Sequence, residues 1–230
     1  MSQKLQFGVL MHPYQAIDCV GPLDVLSSSS KPYLEPLLGL GLYDKSVPEH
    51  ALDYDFHYIK DTLEPSTHTA GLRLVPTTTL DTCPKLDYLL VGGPDPAWTQ
   101  DPSFPAYAKF VQERLPELKI VFATCTGAII LGAMGVLDGL NATVNHQLIG
   151  PARQMCPKVK WTDEKQWIVD GKFWTAGGAV AGMDMMAQWV IDNSTRDAAE
   201  CGWGFLDYEP RDVHGRLLKR EKYGLRLQAA

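Results

Sequence analysis

Short apolar runs recur along this chain, separated by stretches of helical spacing or by glycine and proline. Residues 4–11, KLQFGVLM, predict a first buried strand. Asp18 to Ser29, DCVGPLDVLSSS, reads as a loop entering a short helix, with Pro22 in its first turn. Residues 30–53 carry no clear period, whereas DYDFHYIKDT (53–62) alternates as a half-buried strand does. LDYLLVGGPDP (86–96) is a continuous apolar strand closing on a Gly-Gly turn. Residues 102–118 space Phe104, Tyr107, Phe110, Val111 and Leu115 as one helical face. In LKIVFATCTGAIILGA (118–133) a strand ends at Thr124-Cys125 and a helix starts at once, stopping at Gly135 and Gly139. Residues 159–178 predict two strands joined at Asp170-Gly171, and 180–193 an amphipathic helix whose Met185, Met186, Trp189 and Val190 face the core.

Strands alternating with helices predict an α/β fold, a mostly parallel sheet covered on both faces, in one domain. Residues 194–230 are expected to pack on it as a C-terminal extension. With 230 residues, 45% hydrophobic and 21% charged, the chain can build such a core. Its net charge of −6 argues against nucleic acid, because no stretch gathers the cations that phosphates require; the tail RLLKREKYGLRL reads as a solvated face. The first residues are too short an apolar stretch for a signal peptide, and no run approaches membrane-spanning length. The five cysteines are odd in number, scattered, and without a Cys-x-x-Cys pair or zinc spacing. A reduced, cytoplasmic protein without metal or cofactor is expected, in which a cysteine stays a free thiol.

Cys125 is the residue this pattern singles out. In parallel α/β sheets ligand sites lie at the carboxyl ends of strands. A cysteine there, with a helix starting beneath it, meets free N–H groups and is expected to have a lowered thiol pKa. Gly127 permits the close backbone approach a tight elbow requires. Thr126 either caps the helix or offers its hydroxyl to a substrate beside the thiol. Asp18, at the carboxyl end of the first strand, is placed to converge on the same crevice, or simply caps a helix. Gly92 and Gly93 either bind a developing anion through their N–H groups or only make a turn. TAGGAVAGMD repeats that arrangement, and Asp184 within it reads as structural. Trp98 and Tyr54 either line a larger pocket or pack the core. Of the six histidines, none at metal spacing, His146 is the one placed to approach the site.

Four motifs together carry a family resemblance. ATCTGAIILGAMGVLDGLNAT resembles the nucleophile elbow of the DJ-1/PfpI (ThiJ) superfamily, and IDCVGPLDVL its N-terminal acidic loop. LLVGGP resembles its Gly-Gly turn and TAGGAVAGMDMM its late glycine-rich helix start. The resemblance implies a flavodoxin-like α/β sandwich, commonly a homodimer acting on a small molecule. Asp18, where other branches have Glu, and Cys125-Thr126-Gly127 are similar to the isonitrile (isocyanide) hydratase branch. That branch implies addition of water to R–N≡C, giving an N-formamide. Cys125 would attack the terminal carbon, Asp18 would shuttle the proton and Thr126 would assist by hydrogen bonding. Because an acid and a thiol in contact share a proton, a raised Asp18 pKa is expected. One departure stands out: where many relatives place a histidine this chain has Asn145, with His146 displaced by one. Gly92, Gly93, Gly127, Trp98, Asn145 and His146 are the candidate substrate-binding residues. The resemblance leaves other thiol chemistry open: glyoxalase III-like action on 2-oxoaldehydes, a lyase or cyclase step, or redox sensing at Cys125 without catalysis.

Overall fold

The computed structural model describes residues 4–218, and at its centre is one seven-stranded sheet. Its strands are β1 (Leu5–Leu10), β2 (Tyr54–Lys60), β3 (Thr78–Thr79), β4 (Tyr88–Val91), β5 (Ile120–Thr124), β6 (Trp167–Asp170) and β7 (Phe173–Ala176). They lie in the order β6-β7-β5-β4-β1-β2-β3. Every neighbouring pair is parallel except the β6–β7 hairpin. That hairpin turns just past Asp170, where Gly171 adopts φ +57°. The longer helices are α1 (Ile17–Ser28), α2 (Phe104–Arg114), α3 (Gly127–Ala133), α4 (Ile149–Met155), α5 (Ala179–Asn193) and α6 (Arg196–Phe205). This is the flavodoxin-like α/β arrangement.

Both faces of the sheet are buried, which is why its central strands read as continuous apolar runs. In β4, Tyr88 and Leu90 enter one core while Leu89 and Val91 enter the other. In β5, Phe122 joins the first core and Val121 and Ala123 the second. On the first face lie α1, α5 and α6, with Leu26, Met185, Met186, Trp189 and Trp203. The second face is covered by α2 and α3, through Phe110, Val111, Ile129 and Ile130. In α2 Tyr107, Phe110 and Val111 are buried as their spacing predicts, and the helix stops before Pro116, which cannot donate to the carbonyl four residues back.

Several elements depart from the sequence reading. Pro22 sits in the interior of α1, not in its first turn. The unpatterned stretch after α1 holds two short helices, Lys31–Leu34 and Ser46–His50, joined by a 3-10 segment at Glu35–Leu40. Helix α4 has no signature in sequence because Gly150 and Pro151 in its first turn read as a loop. Beyond α5, α6 is N-capped by Thr195 and lays Gly202 against the backbone of Ser29, where an added Cβ would come within 2.6 Å of Ser29 Cα. The basic tail lies outside the described residues from position 219 onward.

Asp184 is structural, by a route that helix polarity alone does not show. Its buried carboxylate accepts hydrogen bonds from Arg211 N at 3.0 Å and Arg211 Nε at 2.8 Å, and one from the Tyr208 hydroxyl. Arg211 Nη2 completes the ion pair at 2.7 Å. This cluster fastens the segment after α6 onto α5. Asp184→Ala leaves the guanidinium and the phenol without their acceptor and is expected to cost about 3 kcal/mol. The check is a denaturant midpoint that falls while the alkylation rate of Cys125 stays unchanged.

Candidate active site

The site is built where β4 and β5 end side by side. After Thr124 the chain turns so sharply that Cys125 takes φ +55°, a left-handed conformation unusual for a residue with a Cβ. Its N–H donates to Ala176 O at 3.0 Å, which ties the strained residue to the end of β7. Gly127 then starts α3 directly against β4: an added Cβ would lie 2.4 Å from Val91 O. Gly93 is equally confined, because a Cβ there would meet Thr126 Oγ1 at 2.5 Å and Asp18 Oδ2 at 2.9 Å. The two glycines thus let the turn after β4, the elbow and the acid meet.

Asp18 lies in the first turn of α1, not at the end of β1, and is fully buried. Its Oδ2 accepts a hydrogen bond from Gly93 N–H at 3.0 Å, while Oδ1 is buried with no hydrogen-bond partner. Burial raises the carboxyl to about 7, the Gly93 N–H only partly opposing it. Cys125 is nearly as enclosed, 9% exposed. Its thiol is raised, by burial first and the Asp18 charge second. Asn145 Nδ2, 3.6 Å from Sγ, and the Thr126 N–H and hydroxyl act in the opposite sense. The expected lowering of the thiol is therefore reversed: the donors beside the sulfur are outweighed by loss of water and an adjacent acid. Both groups prefer their neutral forms, so removing one proton from the pair leaves a single anion for the two to share.

The remaining candidates divide clearly. Thr126 occupies the N-cap position of α3 without a side-chain cap; its hydroxyl donates to Pro94 O at 2.5 Å and lies beside the sulfur. Gly93, Cys125, Thr126 and Asn145 line a cavity of about 450 Å³ with Pro13, Tyr14, Thr67, His68, Asp95 and Leu148 among others. Gly92 sits behind it, its carbonyl 2.9 Å from His12 Nε2 and its Cα against Cys19 and Tyr14. His12 is buried and held down to about 4, so its neutral ring donates through Nε2.

Trp98 is not a lining residue. It is buried, stacked on His12 at 4.6 Å and edge-on to Tyr107, and so belongs to the packing. Tyr54 likewise packs among Phe7, Phe56 and Trp189. His146 is exposed and lies over Gly177, away from the cavity lining. The wall formed by Thr67, His68 and Thr69 has no signature in the sequence, since two-residue strands and a 3-10 turn leave no periodic signal. Among the described residues no group of three or more His, Cys, Asp or Glu side chains could hold a metal ion. None of the described helices is long and apolar enough to cross a membrane.

The model of the DJ-1/PfpI family matches residues 9–191, from β1 through α5. The chain belongs to the DJ-1/PfpI family. This DJ-1/PfpI chain is 30% identical over 214 residues to an isonitrile hydratase of Pseudomonas putida, covering 90% of the chain and 79% of that enzyme. It is also 27% identical to the HTH-type transcriptional regulator GbdR of Pseudomonas aeruginosa, but over 116 residues that make up only 31% of the regulator. Among solved structures, a ThiJ/PfpI family protein from Pseudomonas syringae superposes with a TM-score of 0.71 at 26% identity, over 90% of this chain and 76% of that one. Drosophila melanogaster DJ-1beta gives 0.67 at 15% identity over 89% of this chain and 98% of that one, a likeness of fold alone.

Proposed function

We propose that this DJ-1/PfpI chain is a cysteine-dependent isonitrile hydratase. The observation that carries the reading is geometric: the Cys125 sulfur lines one cavity, and the fully buried Asp18 carboxyl is set beside it behind Gly93. An isonitrile needs a nucleophile and a proton at the same carbon, and this pair supplies both. The Cys125 sulfur bonds to the terminal carbon as its proton passes to the Asp18 carboxylate. Asp18 then delivers that proton to the same carbon, giving R–N=CH–S–Cys. Water adds to the C=N bond of this thioimidate; the resulting R–NH–CH(OH)–S–Cys expels the thiolate, which takes back a proton as R–NH–CHO leaves. Asn145 Nδ2 and the Thr126 N–H stabilise sulfur's negative charge as it leaves. Thirty per cent identity to an isonitrile hydratase over most of both chains supports the same reaction.

The cavity favours an uncharged substrate. No lysine or arginine is among the described residues that line it, Asp95 contributes a carboxylate, and burial lowers the pKa of His68. Benzyl isonitrile is expected to give N-benzylformamide, with isocyanoacetate at least about 10-fold poorer in kcat/KM because its carboxylate meets no counter-charge. Chromatographic assay of both formamides, with methylglyoxal alongside, tests this. Lactate from methylglyoxal with no formamide from either isonitrile overturns the reading. The same reading takes the chain as a cytoplasmic homodimer with neither nucleic acid nor membrane as partner.

A further inference from the structure

Helix α1 carries Pro22 in its interior, and a proline has no N–H to give. The carbonyl four residues back, which that N–H would have served, is that of Asp18. It is served from another element: the Thr124 hydroxyl at the end of β5 donates to Asp18 O at 2.8 Å. Thr124 is fully buried and immediately precedes Cys125. Its methyl is seated against Gly182 of α5, where an added Cβ would lie 2.2 Å from Thr124 Cγ2 and 3.7 Å from Pro22 Cγ. Pro22, Thr124 and Gly182 thus meet directly behind the acid and the thiol. The Asp18 side chain itself has one hydrogen-bond donor, Gly93 N–H, and its other oxygen has none. The aim of the carboxyl therefore depends on where the backbone of residue 18 is held.

We infer that Thr124 is the positioning residue of the site, its hydroxyl replacing the donor that Pro22 removes and so fixing residue 18 to the strand end that carries Cys125. With an ordinary residue at position 22 the helix would satisfy its own carbonyl and nothing would tie its first turn to β5. The proline opens an acceptor, and the threonine beside the nucleophile closes it. The inference rests on Asp18 and Cys125 being the reacting pair.

The test uses the full chain and needs no isonitrile turnover. The rate of Cys125 alkylation by iodoacetamide is measured against pH, with the Cys125 peptide resolved by mass spectrometry. Asp18 of α1 is the ionisable group acting on the thiol, with Thr126 and Asn145 the neutral donors beside it; Cys19 lies behind Gly92, against Tyr14. Thr124→Val is expected to move the midpoint down by about half a pH unit or more, roughly threefold in thiolate fraction, as the carboxylate loses its hold near the sulfur. Thr124→Ser keeps the wild-type profile. In a Pro22→Ala background the effect of Thr124→Val shrinks to less than half, because the backbone N–H restored at position 22 serves the Asp18 carbonyl. Should the valine variant not fold, Thr124→Ala takes its place. A Thr124→Val profile that coincides with wild type, or a shift of the same size in the Pro22→Ala background, overturns the inference. A protein that shows the predicted shifts yet hydrates no isonitrile leaves the positioning intact and removes the proposed reaction instead.

Discussion

Cys125→Ala is expected to lower kcat/KM for isonitrile hydration by about 10⁴-fold or more, with the fold retained. The size follows from the chemistry. Water is a poor nucleophile toward an isonitrile carbon, and the covalent route replaces its attack with that of sulfur. No neighbouring group can substitute: Thr126 has its hydroxyl committed to Pro94 O, and the Cys19 thiol is fully buried behind Gly92. Cys125→Ser is expected to be almost as inactive, because its hydroxyl would hold its proton still more tightly in the same enclosed position. Near-normal turnover by either variant would place the reaction elsewhere. Circular dichroism of the alanine variant should match wild type, since the strained backbone at residue 125 is held by Ala176 O and by the packing of α3 rather than by the thiol.

Asp18→Asn carries the second large effect, and it has two opposite signs. Turnover is expected to fall about 10³-fold, because an amide can neither accept the thiol proton nor deliver it to carbon. Stability at pH 8 is expected to rise. The carboxyl is held up to about 7 in the folded protein, against about 4 for an ordinary carboxylate. A carboxyl raised by folding favours the folded state while protonated. Its stabilising contribution is complete below pH 4 and is lost as pH rises through 7, leaving a buried charge at pH 8. Asparagine removes that charge while keeping an oxygen for the Gly93 N–H. A gain of about 2 kcal/mol, roughly 5 °C in Tm, is expected at pH 8 and close to none at pH 4. Melting curves of both proteins across that range check it; a difference that does not change with pH would mean that Asp18 does not titrate there.

Much of the fold was legible because the sheet is buried on both faces. Strands such as Tyr88–Val91 and Ile120–Thr124 had to be apolar throughout, and glycines had to mark their ends. Cys125 was legible for the same reason, at the Thr124-Cys125-Thr126 break between two apolar runs. What stayed hidden depended on contacts between distant segments. The sequence places Asp18 at the carboxyl end of a strand, not in the helical turn from which it reaches Gly93 N–H. It places a thiol at a helix start, which alone lowers its pKa; only the folded arrangement reveals the enclosure and the acid that raise it. Thr126 reads as a cap because its residue type caps helices, yet Pro94 O, 32 residues away, takes the hydroxyl. Trp98 and His146 were near the motifs in sequence and turn away from the cavity in space. Pro22 reads from sequence as a first-turn proline; that it lies inside α1, and that Thr124 answers the carbonyl it leaves open, appears only in the fold.

The central claim is that Cys125 becomes covalently bonded to the isonitrile carbon. Its most direct measurement is the mass of the protein quenched in acid during steady turnover of benzyl isonitrile. Addition of the thiol across the carbon predicts an adduct equal to the whole mass of the isonitrile. It should lie on the Cys125 peptide, be absent in Cys125→Ala, and disappear as substrate is exhausted. Formamide accumulating at the wild-type rate with no adduct on Cys125, and formed equally well by Cys125→Ala, would contradict it.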